Sequence, residues 1–301
     1  MLDGIIYTLK SLLKKPFKVG LISYYYPLEK AKVNNGTAIH ASYLSKGLAK
    51  LGCDVHVFAK GKGRTKKEYL GEGRIVIHRL NVDIDSSVTD PVTRRRISYT
   101  FFDSKVINEI TKENSHEKFD VIHSHGWLTA GAFISKQLNN LKWVHTFHAV
   151  EKNRLKYMSA DEKNYFKVAQ WVESTISYTD ALIAVSNKIK KEVLQNYLVK
   201  DEQVNVIPNG VDSSLFNPEN AVQEDKTVLY VGRFSMEKGI DVVAKIAEKV
   251  LSSDKEIKFI AVASETNVPS MGKVMEKFKE LSEKYPERFI WIKKEVSREE
   301  I

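Results

Sequence analysis

The residues best suited to chemistry are histidines at the ends of apolar runs and a pair of cations beside a glycine. "HSHGW" at His123–Trp127 closes one such run, and "HTFH" at His145–His148 closes the next. If the two runs are neighbouring strands, His125, Trp127, His145 and His148 reach one region. It lies beyond the carboxyl ends of a parallel sheet, where open α/β folds hold ligands. An imidazole there can donate to a hydroxyl or a leaving oxygen near neutral pH. A structural histidine is the plainer alternative for His125. Zinc is a further thought, but pairs at i,i+2 and i,i+3 without a clear carboxylate or cysteine partner fit it weakly. The expectation is therefore no metal ligand.

"YVGRFSMEKGID" at Tyr230–Asp241 raises a different chemistry. A strand-like start ends at Gly232, Arg233 follows, and Lys238 comes just before Gly239 and a helical pattern. Arginine can hold oxygens bidentately and lysine adds a mobile point charge. Two cations at a helix start suit a diphosphate. The bland alternative is a solvated basic loop in which Glu237 pairs with a neighbouring lysine. Gly36 is the third candidate. It stands alone before the helical stripe of "AIHASYLSKGLAKLG", where a glycine lets a ligand approach the backbone, or is simply a turn residue. Neither the first strand nor "TVLYVGR" is followed by GxGxxG, which disfavours a nicotinamide dehydrogenase.

Short apolar runs must position these residues. They are "FKVGLISY" (17–24), "CDVHVFA" (53–59), "RIVIHRL" (74–80), "FDVIHSH" (119–125), "LKWVHTFH" (141–148), "ALIAVS" (181–186) and "VNVIPN" (204–209). Helical stripes separate most of them, including Tyr99, Phe102, Val106 and Ile110, and then Tyr165, Val168, Val172 and Ile176. Such alternation predicts a mostly parallel sheet covered on both faces. After Pro208 the texture turns polar, as at a domain boundary. "TVLYVGR", "IKFIAVAS" and "RFIWIKK", with two helices between them, then make a second βαβαβ series. The expected domains are 1–217 and 218–301. Three strands are few for a doubly wound half, so the second domain reads as incomplete.

The chain has 301 residues, near the size at which one core splits into two. Its net charge of +9 suits a nucleic acid, an anionic membrane or a phosphorylated substrate and chooses none of them. A single cysteine excludes an intrachain disulfide framework. No apolar run is long enough for a membrane span. "LDGIIYTLKSLLKK" has helical spacing without a convincing signal-peptide pattern. It reads as a helix packed on the domain or as a weak interfacial helix.

In combination, these pieces resemble the retaining GT-B glycosyltransferases of family 4, which include glycogen and sucrose synthases and many mannosyltransferases. The resemblance rests on the Gly36 region, "DVIHSHGW", "HTFH", "TDALIAVS", "VIPNGVD" and "VLYVGRFSMEKG", whose order spans nearly the whole chain. It implies two Rossmann-like, doubly wound α/β domains facing a cleft. The first domain would hold the acceptor, and the second a nucleotide diphosphate sugar. Gly36 matches the glycine near the donor phosphates, His148 the histidine beside the transferred sugar, and Arg233 and Lys238 the diphosphate-binding pair. His125, Trp127, His145 and Asn209 are cleft or acceptor candidates. No metal or other cofactor is implied, because the basic pair does the neutralising.

The chain also departs from the pattern. The family's later proline–serine segment, its acidic residue, its glycine-rich turn and the second acid that holds the ribose do not occur before Ile301, and "AVASETNVPS" replaces a glycine-containing loop. The second domain is thus expected to be C-terminally truncated. No nucleophile carboxylate belongs to a matched motif, so attack on the same face as departure is the implied mechanism. Glu173 reads as a surface or helix carboxylate. The expected function is hexose transfer from the nucleotide sugar to a sugar or lipid-linked hydroxyl. The alternatives are a catalytically incompetent sugar-binding protein and a nucleotide-sugar epimerase, since a fold alone does not decide function. The expected setting is cytoplasmic, without nucleic acid. Peripheral membrane contact, and self-association through the incomplete sheet, complete the expectations.

Overall fold

The computed structural model describes residues 15–27, 36–126, 130–155, 163, 173–217, 226–264, 271–294 and 296. The expected N-terminal helix, Tyr165–Val172 of the helix expected over Tyr165–Ile176, and Trp127 lie outside these residues, while Ile176 falls in a short 3-10 turn, Ser174–Tyr178. The chain divides into two compact units, Met1–Asn209 and Gly210–Ile301.

The first unit is built on eight strands: β1 (Lys18–Ile22), β2 (Asp54–Gly61), β3 (Lys66–Leu70), β4 (Ile75–Asn81), β5 (Val121–His125), β6 (Trp143–Phe147), β7 (Ala181–Ala184) and β8 (Val204–Val206). Their order is β3-β4-β2-β1-β5-β6-β7-β8. Only β3 runs antiparallel to its neighbour. The chain winds outward in one direction from β1 and in the other from β5, so the switch point lies between those two strands, where doubly wound sheets hold ligands.

Side-chain alternation explains why this sheet is covered on both faces. Leu21, Val55, Val57, Ile75 and Ile77 pack with Ala41, Leu44 and Leu48 of α1 (Gly36–Lys50). Ile22, Phe58, Leu80, Ile122 and Trp143 face the other way. They meet Phe102, Val106 and Ile110 of α2 (Pro91–His116) and Ala132 of α3 (Ala130–Asn139). Asp90 caps α2 by accepting the Thr93 amide at 2.7 Å, and Pro91 opens it without needing a donor. Phe147, Leu182 and Ala184 pack with Val193 of α5 (Asn187–Asn196); the single turn α4 (Glu151–Arg154) precedes that helix.

The strand β3 was absent from the sequence reading. Lys66, Lys67 and Glu68 carry no apolar alternation, and the strand is an exposed edge that joins β4 through a Gly71–Gly73 turn. Charge on an edge strand is an ordinary guard against unwanted pairing.

In the second unit, β9 (Thr227–Val231), β10 (Lys258–Val262) and β11 (Phe289–Ile292) form a parallel sheet in the order β11-β10-β9. The helices α6 (Ile240–Ser253) and α7 (Gly272–Lys284) pack with it through Ile240, Ala244, Ala247, Leu251, Phe278 and Leu281. Both units are thus Rossmann-like α/β layers, and the second has three strands among the described residues. No helix of the described residues is long and apolar enough to cross a membrane.

Candidate functional site

Three histidines meet beside the switch point. His125 is the last residue of β5, and His148 follows the last residue of β6. Parallel pairing sets His125 opposite Thr146, two residues before His148. Nδ1 of His125 lies 3.4 Å from Nε2 of His148. His40, on the second turn of α1, brings its ring centroid to 5.1 Å from that of His125 and 4.6 Å from that of His148. The Asn209 side chain lies beside His40 and partly offsets the effect of burial on that ring. His125 is buried, whereas His40 and His148 are half-buried and Asn209 is exposed.

His40 was not singled out from the sequence. The available signal was its position four residues after Gly36, which puts it on the same side of α1 one turn on. Gly36 itself is the first, exposed residue of that helix, and among the described residues a Cβ there would meet nothing within 4 Å. The glycine therefore leaves open backbone at a helix start, where amide groups favour anions.

His145 does not join this group. It lies on the opposite face of the sheet, fully buried. The indole of Trp143 donates to Oγ of Ser124 at 2.8 Å, and that hydroxyl can donate to Nδ1 of His145 at 2.9 Å. On the site's own face, His123 Nε2 bonds Thr146 Oγ1 at 2.7 Å, and its ring lies 4.4 Å from that of His125.

Burial keeps these imidazoles neutral at physiological pH. It pushes His148 down to about 4, and His123 and His145 to about 3. His125 is held well below its usual range and His40 is lowered, both by burial first. Each ring therefore offers one N–H donor and one lone pair.

Glu173 is not a surface carboxylate. It is 1% exposed, accepts from the Tyr197 hydroxyl and from the Glu151 backbone, and is pushed up to about 8 by burial. Its partners lie 22 and 24 residues away in sequence, so no local pattern exposes its role. Glu151 opens α4, three residues after His148, and chelates Arg154 at 2.7 and 2.9 Å. Glu173 thus braces the turn behind His148. Asp180 of "TDALIAVS" is likewise a brace: it accepts the Trp143 amide at 2.8 Å and Lys136 at 2.7 Å.

In the second unit, the β9–α6 loop carries Arg233 and Lys238. Phe234 is its anchor, 5% exposed, with its ring 5.0 Å from Phe278 and 5.5 Å from Trp291. A Cβ at Gly232 would come within 2.7 Å of the Tyr230 hydroxyl, the tip of a half-buried side chain that would have to move aside. Gly239 takes a left-handed φ of 70° immediately before α6. Both cations are exposed beside this helix start. Arg233, not a lysine, pairs with Glu237 at 3.1 Å. The buried Ser235 Oγ has no hydrogen-bond partner among the described residues.

The fold defines a class. The chain superposes on sucrose-phosphate synthase from Thermosynechococcus elongatus with a TM-score of 0.69, at 20% identity, covering 94% of this chain and 72% of that one. An E. coli trehalose-6-phosphate structure bound with UDP-2-fluoro glucose gives a TM-score of 0.60, at 12% identity, covering 94% and 74%. These are GT-B folds with two Rossmann-like α/β domains. The model of Glycosyltransferase Family 4 matches residues 34–215, and the chain belongs to that family. An uncharacterized glycosyltransferase of Methanocaldococcus jannaschii is 26% identical over 78% of this chain and 60% of its own length. The alpha-maltose-1-phosphate synthase of Mycolicibacterium smegmatis is 27% identical over 83% and 62%. The chain therefore spans about three fifths of the length of these two relatives.

Proposed function

We propose that the protein is a retaining glycosyltransferase that moves a hexose from a nucleotide diphosphate sugar to the hydroxyl of a sugar or lipid-linked acceptor. In this reading Arg233 and Lys238 bind the donor diphosphate, the open backbone at Gly36 admits it, and His148 donates a hydrogen bond to the transferred sugar. His125 and Asn209 line the acceptor side. As the glycosidic bond breaks, negative charge grows on the departing phosphate, and fixed cations stabilise it more than they stabilise the ground state. The chemistry asks for no metal. The protein acts in the cytoplasm, and self-association through the second sheet draws support from the exposed Leu229, Val231 and Ile290.

The observation that carries the reading is the β9–α6 loop, anchored by Phe234 and turned by the left-handed Gly239, which carries Arg233 and Lys238 beside a helix start. The test is calorimetric affinity for UDP, GDP and ADP in the wild-type protein and in Arg233→Ala. Loss of a charged hydrogen bond costs roughly 1.5–3 kcal/mol, so binding of the preferred nucleotide should weaken about ten- to a hundredfold. Unchanged affinity in the variant would leave the loop as a solvated basic turn.

A further inference from the structure

We propose that His40, His125 and His148 form a binding site for a late first-row divalent cation, Zn2+ foremost, with a fourth position open to solvent or ligand. One ligand nitrogen from each ring lies within 4.8 Å of the others. The 3.4 Å between His125 Nδ1 and His148 Nε2 is long for a hydrogen bond. It is close to the separation of about 3.3 Å that two nitrogens adopt on a tetrahedral zinc with bonds of 2.0–2.1 Å. Two of the three ligand positions are thus already spaced for a metal. The third ring, His40, sits on a helix and is half-buried, with its ligand nitrogen within 4.8 Å of the other two, and a turn about its side-chain torsions is what closing the set requires.

Three nitrogen donors select zinc, cobalt, nickel or copper over magnesium or calcium, which prefer oxygen.

The protein contains a natural control. His56, His78 and Glu113 also approach within 4.8 Å. There, however, His56 Nδ1 and His78 Nε2 are hydrogen-bonded at 3.0 Å, His78 Nδ1 is 3.1 Å from Glu109, and Lys67 pairs with Glu113 at 2.7 Å. The ligand atoms are engaged, and a lysine ammonium repels a cation.

Metal binding does not depend on the glycosyl-transfer reading; only its consequence does. A cation on His148 occupies the ring which that reading gives to the sugar, so it competes with the donor and takes no part in the reaction.

The test uses the full chain, stripped of metal with a chelator and titrated at pH 7.5 without nucleotide sugar. Co2+ is followed by visible absorption and Zn2+ by calorimetry. Wild type should bind one equivalent. Loss of an outer partner alone weakens metal sites about 10- to 100-fold, so His40→Ala and His148→Ala should each weaken binding by about tenfold or more, and His56→Gln should bind as wild type. Circular dichroism melts confirm that each variant is folded. Absence of stoichiometric binding in wild type, persistence in His40→Ala and His148→Ala, or loss in His56→Gln would each overturn the proposal. None of these results bears on nucleotide binding at Arg233.

Discussion

Mild acid should destabilise the first unit selectively. All eight histidines precede residue 150. Burial holds His56, His78 and His148 at about 4, and His123 and His145 at about 3. The unfolded chain takes up these protons near pH 6.5 and the folded unit refuses them, so stability falls as the pH drops below 6.5 towards the folded values. Between pH 7.5 and 5.5 each ring costs on the order of 1 kcal/mol, and five rings together about 5–7 kcal/mol. Glu173 and Asp103 oppose this. Burial raises them to about 8 and about 7, so their stabilisation is complete in acid and is lost as the pH rises through those values. Together they return about 4 kcal/mol over the same interval. The net loss is about 1–3 kcal/mol, a sizeable part of a typical total of 5–15 kcal/mol. With a urea slope of about 1–3 kcal/mol per molar, the midpoint should fall by about 1 M. Urea titrations at the two pH values, read by hydrogen exchange, would resolve the first unit from the histidine-free second. An unchanged or higher midpoint for the first unit at pH 5.5 would refute the reasoning.

Two substitutions separate stability from binding. Gly36→Val should shift unfolding by less than about 0.5 kcal/mol, the usual range for an open surface site, because its Cβ meets nothing within 4 Å among the described residues; donor affinity should nonetheless fall, and parallel losses in a melt and a binding titration would make Gly36 a mere turn residue. Arg79→Met should cost about 3–5 kcal/mol in urea unfolding, because this arginine is 1% exposed and serves Glu68 and the carbonyls of Tyr26 and Pro27; a loss below about 1 kcal/mol would contradict that account.

Much of the scaffold was legible because burial imposes a period. Val55, Val57 and Ala59 alternate with His56 and Phe58, and every apolar run read as a strand contains one. The charged edge β3 escaped because its pairing answers to backbone hydrogen bonds and exposure, not to burial. The histidine motifs marked strand ends that the structure brings together. They could not separate His145 from His125 and His148, since opposite faces of a sheet are one residue apart. His40 and Glu173 depend on partners distant in the chain, His125 and Tyr197, and such encounters leave no local spacing to read.

The most direct measurement is hexose transfer itself. The natural gene product, incubated with UDP-, GDP- and ADP-hexoses labelled in the sugar and with candidate hydroxyl acceptors, should release nucleoside diphosphate and form a glycoside that keeps the donor's anomeric configuration. His148→Ala should abolish transfer while nucleoside diphosphate still binds, and Arg233→Ala should weaken that binding. Epimerised nucleotide sugar without transfer, an inverted product, or full activity in His148→Ala would contradict the account.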